Sequence, residues 1–178
     1  MGKTTAPIQS ADLSGVIERL EKATVPDREI DAEIMFDVFA TPVGKHKEDG
    51  GPIGYIRLDD QPSWNLGLRF PGKDREWFAA TRKQIKGETI IIERDGAHVL
   101  MNSLRIPELT GSVDAAIALA ERVLPGCELE VTNLYSVARA TLYHESGQFY
   151  GSSEINSLPI AICIAAVKAR ALQSKGEA

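Results

Sequence analysis

The sequence predicts an α+β fold, specifically a three-layer α-β-α sandwich with a mostly antiparallel sheet, and three observations predict it. Strand-like runs are joined by tight turns, most clearly at Thr89–Met101, where Ile90-Ile91-Ile92 and Val99-Leu100-Met101 flank Asp95-Gly96, a dipeptide suited to the positive φ of a primed turn. Four segments carry apolar residues at helical spacing, two of them ahead of the strands. The last of the four, from Leu158, is apolar almost all round, which demands burial against a sheet. Hairpins make the sheet antiparallel, and helices from both ends of the chain can cover its two faces.

Taken in order, residues 1–11 are small and polar and read as a flexible N-terminus, while 12–174 read as one domain. A chain of 178 residues with 43% apolar composition can bury one sizeable core. Leu13, Val16, Ile17 and Leu20 define a first helix over Asp12–Ala23. Thr24-Val25-Pro26-Asp27 offers a capping hydroxyl, a first-turn proline and an acid for a second helix bearing Ile30, Ile34 and Val38. From Thr41 to Pro52 glycine, proline and charge predict a surface loop.

Strands are expected at Ile53–Leu58 and Trp64–Phe70, and Trp77–Arg82 reads as either a strand or a helical turn. Beyond the Thr89–Met101 hairpin, Ser112 is a good N-cap for a helix over Val113–Leu124, with Asp114 in its first turn and Pro125-Gly126 as its stop. Strands over Glu128–Tyr135 and Val137–Glu145 follow. Ser146-Gly147 and Gly151-Ser152-Ser153 read as the loop into the final helix, Leu158 to about Gln173, which Pro159 opens. Ile117, Leu124, Val131, Leu142, Ile160, Ile164 and Val167 are the expected core.

A net charge of −5 and a pI of 5.3 argue against a partner bound by neutralising many phosphates, so nucleic acid is not an expected ligand. Cys127 and Cys163 lie in apolar surroundings without metal or disulfide-scaffold spacing, and both are expected as small packing residues. No run approaches the length of a membrane span and no apolar leader opens the chain, so the expected compartment is the cytoplasm.

The motifs that carry chemistry are incomplete. Gly67-Leu68-Arg69-Phe70-Pro71-Gly72-Lys73-Asp74 follows a phosphate loop up to Asp74, which stands where Ser or Thr must hold magnesium, and an ordinary Pro-Gly turn explains it. None of His46, His98 and His144 has a second histidine or a cysteine at helical metal spacing, so neither metal nor cofactor is expected. No Gly-x-Ser-x-Gly and no cysteine with a basic neighbour marks a nucleophile, and no catalytic residue is assigned. Glu128/Glu130 and Asp59/Asp60 read as solvated acid pairs.

The one repeated chemical theme is arginine beside aromatic residues. Arg57, Arg69, Arg94 and Arg105 can grip an anion, and Trp64 or Tyr143 can stack on a planar ring. Ser112 and Val113 offer backbone N–H groups at a helix start. Alternation on the strand from Val137 puts Arg139, Thr141 and Tyr143 on one face, opposite Ala138, Ala140 and Leu142, as a pocket wall or an exposed stripe.

Thr110-Gly111-Ser112-Val113-Asp114-Ala115-Ala116-Ile117-Ala118-Leu119 and Leu158-Pro159-Ile160-Ala161-Ile162-Cys163-Ile164-Ala165-Ala166-Val167-Lys168-Ala169-Arg170, with two strands between them, resemble the phage ABA sandwich domain family. The resemblance covers about the last seventy residues, chiefly 110–172, and implies an α-β-α sandwich of phage or prophage origin acting inside the infected cell. It carries no catalytic residues over. Together with the arginine–aromatic theme, it leads to the expectation of a host-directed binding protein. The preferred ligand is a phosphorylated nucleotide messenger of host defence. The alternatives are a phage protein that binds and inhibits a host protein, and a phosphodiesterase-like enzyme that degrades the messenger. Strand edges near Trp64, Phe70 and Trp77 lead to the further expectation of a homo-oligomer, most simply a twofold dimer.

Overall fold

The computed structural model describes residues 13–45, 47, 49–57, 65–71, 89–94, 96–143 and 149–174, with the backbone alone at 56, 57, 65, 71, 149–153 and 174. The chain is α+β, its strands all antiparallel among the described residues, with helices packed on the sheets as the sequence predicts. Its elements are α1 (Ser14–Lys22), α2 (Arg28–Phe39), β1 (Ala40–Val43), β2 (Gly54–Arg57), β3 (Asn65–Pro71), β4 (Thr89–Arg94), β5 (Ala97–Asn102), a 3-10 turn (Ser103–Arg105), α3 (Val113–Val123), β6 (Glu128–Leu134), β7 (Val137–Tyr143), β8 (Phe149–Ile155) and α4 (Leu158–Ser174). They gather into two compact units, one of residues 27–108 and one of residues 1–26 with 109–178. No helix is long and apolar enough to cross a membrane among the described residues.

The unit of residues 27–108 is a five-stranded sheet in the order β1-β2-β3-β5-β4 with α2 packed on it. The β4–β5 hairpin forms as predicted, with Gly96 at φ +68 and Ile90, Ile92, Val99 and Met101 buried. Gly67 occupies a position in β3 that no side chain fits, since a Cβ there would lie 2.8 Å from Val99 Cγ1. The segment that resembles a phosphate loop is strand over Gly67–Pro71, and its remainder, from Gly72, lies outside the described residues, as do Trp77–Arg82.

Two local expectations are corrected here. The cap of α2 is Asp27 and not Thr24: its Oδ1 accepts from the Glu29 N–H at 2.8 Å and the Ile30 N–H at 3.2 Å, which leaves Pro26 ahead of the helix. Thr41–Val43, expected in a loop, is part of β1. The strand sits at the sheet edge, where Pro42 does not interrupt a ladder on both sides. Arg28 then fastens the start of α2. Its guanidinium donates to Asp31 Oδ2 (2.8 Å) and to the carbonyls of Ser103 (3.0 Å), Ile106 (2.7 Å) and Pro107 (3.0 Å), so the buried Asp31 keeps a cationic partner.

In the other unit α4 packs against β7, β8, α3 and α1. Residues 160–167 are buried without a break, which explains why this helix shows so little amphipathic pattern. Each of Ile160, Ile162 and Ile164 contributes roughly 1.5–3 kcal/mol by burial. The Ser112 hydroxyl caps α3 by accepting from the Ala115 N–H at 3.2 Å, and Gly126 supplies φ +77 after its end. Lys168 reaches Glu21 of α1 at 2.8 Å.

The three-stranded sheet runs β6-β7-β8. The existence of β8 corrects the expectation that Gly151-Ser152-Ser153 is loop. Serine and glycine announce no strand, but β7 offers a complete partner edge, pairing Thr141 with Ser152 and Ala140 with Ser153. Of the expected core, Leu124, Leu142, Ile160, Ile164 and Val167 are buried and Ile117 is partly so, but Val131 is 43% exposed. Val131 does face the same side as the buried Ala140. It lies on the outer strand, while α4 packs on β7 and β8.

Candidate functional site

Two places concentrate polar side chains, and each is built within one unit. On the five-stranded sheet, the β3-β5-β4 register places Arg69 on the same face as Val99, Ile92 and Arg94. Arg94 is not presented to solvent as an anion ligand. Its Nη2 lies 2.8 Å and its Nε 3.1 Å from the two carboxylate oxygens of Asp37, and Nη1 lies 3.3 Å from Glu33 Oε1. Asp37 and Glu33 are four residues apart on α2 and thus share a helix face. The Asp37 carboxylate holds the Arg94 guanidinium above its ordinary pKa, against the opposing effect of burial.

Aromatic rings other than Trp64 and Tyr143 flank this cluster. The Arg94 guanidinium carbon stands 6.0 Å from the centre of the Phe36 ring, which packs against Tyr55 in a T-shaped pair with ring centres 4.5 Å apart. Arg69 is mostly buried, lies over the Gly51 backbone and places Nη1 2.8 Å from Asp49 Oδ2. Asp49 also accepts the Gly51 N–H at 3.0 Å, which closes the turn under the guanidinium. Both arginines thus tie loop or helix carboxylates to the sheet. Arg105 is exposed in the 3-10 turn. Arg57 ends β2 opposite Ala40, while its side chain, like the whole of Trp64, lies outside the described residues.

In the second unit, pairing brings Arg139, Thr141 and Tyr143 onto one face of β7, as alternation predicts. Their cross-strand neighbours are Thr132, Glu130 and Glu128 on β6, and Glu154 faces Arg139 from β8. Arg139 Nη2 donates to Glu154 Oε1 at 3.2 Å, both side chains being more than half exposed. Three carboxylates against one guanidinium make this stripe acidic. The Ser112 hydroxyl is engaged in capping α3, and Asp114 already fills the first turn of that helix.

The sequence did not mark the tip of the β6–β7 hairpin. Leu134 pairs with Val137, so Tyr135 and Ser136 form a two-residue turn and Tyr135 takes φ +59. That conformation is uncommon for a bulky residue and usually falls to glycine or asparagine. Tyr135 is 97% exposed, Leu134 67% and Val137 36%, which makes an apolar knob beside the acidic stripe. The only signal in the sequence is the count of two residues between alternating runs, without the usual Asn-Gly or Asp-Gly. Among the described residues, no group of three or more His, Cys, Asp or Glu side chains could hold a metal ion.

Fold and surface together define an α+β protein with two antiparallel sheets, internal arginine ties and an acidic sheet stripe that is exposed at Arg139 and closed over the buried Thr141, with an apolar tip. Comparison with family models, with curated proteins and with solved structures found no match.

Proposed function

We propose that this chain is a non-enzymatic binding protein that docks onto a protein partner through the tip of the β6–β7 hairpin and the exposed acidic side chains beside it. The observation that carries this reading is the knob of Leu134, Tyr135 and Val137, held out at a constrained turn next to Glu128, Glu130 and Glu154. An apolar anchor with a charged rim is the usual anatomy of a recognition surface, and an exposed tyrosine is a frequent anchor. The complementary partner offers an apolar socket bordered by lysine or arginine. The resemblance to phage ABA sandwich domains supports a protein of the infected cell in that role.

A phosphorylated nucleotide messenger is the second reading, supported by Arg139 and Tyr143 sharing one face. It requires phosphate to sit beside Glu154 and Glu130, which weakens it relative to a protein partner. Two assays separate the readings. Affinity capture from infected cells should enrich one protein with the wild-type chain, lose it with Leu134→Lys/Tyr135→Lys and retain it with Arg139→Ala. Incubation with cyclic nucleotides and ADP-ribose derivatives, followed by heat release, should leave every compound undepleted. Intact ligand recovered from the chain, and lost with Arg139→Ala, would overturn the protein-partner reading in favour of a sponge, and altered ligand would overturn it in favour of an enzyme.

A further inference from the structure

The outer edge of β6 is open: among the described residues β6 has a single strand neighbour, β7, and all of its side chains except the half-buried Leu129 are exposed. Proteins usually blunt such an edge with charged side chains, lysine above all, with proline, with a bulge or with a cover. The edge strand β1 carries Pro42, whereas β6, Glu-Leu-Glu-Val-Thr-Asn-Leu, carries glutamates at Glu128 and Glu130 but no lysine or proline, is uncharged from Val131 to Leu134, and pairs with β7 without a register shift. Seven regular residues present about 23 Å of edge whose outward backbone groups meet no second strand among the described residues.

We propose that a second copy of this chain pairs with that edge, β6 against β6 in antiparallel register about a twofold axis at Val131. The two three-stranded sheets then join into one of six strands. This goes beyond the protein-partner reading and rests on a separate observation, the free backbone edge.

The register follows from charge and burial. An axis at Val131 uses all seven residues and sets Glu128 opposite the second copy's Leu134, Leu129 opposite Asn133 and Glu130 opposite Thr132, so no acid faces an acid. Moving the axis to Glu130 would oppose Glu130 to itself, and moving it to Leu129 would oppose Glu128 to Glu130. Moving it to Thr132 shortens the pairing and leaves Val131 against Asn133. With the axis at Val131, the second copy's Glu130 enters the row in which Thr132, Arg139 and Glu154 already lie, giving Arg139 carboxylates on both sides. Val131, 43% exposed in the single chain, meets its own twin beside the two buried Ala140 residues. Tyr135, Ser136 and Val137 stay beyond the paired stretch and remain available to another protein, while Leu134 lies at its end.

Light scattering and sedimentation of the full chain at micromolar concentration test the pairing. The expected mass is twice 19.4 kDa. Val131→Lys, at an exposed position that tolerates a charge, sets two ammonium groups across the axis and should weaken association by about tenfold or more with an unchanged circular dichroism spectrum. Thr132→Lys faces the second copy's Glu130 and should tighten it. In a Cys127→Ser background, Val131→Cys should form a covalent dimer on mild oxidation, because only at the axis does a residue meet its twin within disulfide reach, while Asn133→Cys should not. A monomer mass throughout, a dimer indifferent to Val131→Lys, or equal cross-linking at both cysteine positions would each overturn the proposal.

Discussion

Arg94 Nη2 stands 2.8 Å from Asp37 Oδ2, and this contact commits the guanidinium to joining the end of β4 to α2. The same guanidinium meets Glu33 at 3.3 Å, so two carboxylates that are each about one tenth exposed share this cation.

Removing that cation takes a charge partner from both acids and leaves the little-exposed Asp37 without its guanidinium. Arg94→Leu should destabilise the fold by about 3 kcal/mol, the low end for breaking a buried pair because the arginine side chain is 26% exposed. Chemical denaturation reads this as a lower midpoint with an unchanged slope. The Arg94 pKa is raised in the fold, so its contribution is complete below the ordinary guanidinium value and is lost only as pH climbs through the raised one. The difference between wild type and variant should therefore stay flat from neutral into moderately alkaline solution.

Ile164 is 1% exposed within the helix that both the sheet and the other helices of its unit surround. Ile164→Ala should cost about 2–5 kcal/mol through lost burial and a residual cavity. Ile164→Asp buries an unpaired charge and should leave the chain unfolded or aggregated, which loss of the cooperative thermal transition would report. A normal transition in the aspartate variant would contradict the packing described for α4.

Tyr135 holds φ +59 at the hairpin tip without burying its ring. Tyr135→Asn, a residue more at ease in that region, should raise stability by up to about 1 kcal/mol, and Tyr135→Val, which is β-branched, should lower it by a similar amount. If the tip is the anchor for a protein partner, the asparagine variant should gain thermal stability while losing binding. That divergence distinguishes a strained functional residue from an ordinary turn residue.

The two thiols differ in their surroundings. Cys163 is fully buried and donates to the Leu109 carbonyl at 3.4 Å, whereas Cys127 is partly exposed, with burial pushing its pKa up. Native alkylation should modify Cys127 alone, and more slowly than an unhindered cysteine near neutral pH, because less thiolate is present. Its rate should still be climbing at pH values where an ordinary thiol has levelled off. Mass spectrometry of the alkylated chain checks both statements, and rapid loss of both thiols would refute them.

Features specified within a few residues were legible in advance. Ser112 and Gly126 delimit α3, Gly96 turns the β4–β5 hairpin, and the apolar run from Leu158 becomes the buried helix α4. Capping, positive φ and burial of a whole helix act locally or through composition alone, so the residues themselves declare them. Alternation likewise placed Arg139, Thr141 and Tyr143 on one face of β7. What the sequence could not announce depends on distant partners. Gly151-Ser152-Ser153 becomes strand because β7 supplies the other half of each pair, and Val131 stays exposed because the covering helix packs on β7 and β8. Arg94 reads as a free cation until α2 brings Asp37 and Glu33 across a gap of more than fifty residues. The sequence by itself determined the class of fold, its helices and its tight turns. Only the tertiary structure decided which strands are edges and which charges are already paired, since both follow from contacts between segments whose own sequences carry no mark of one another.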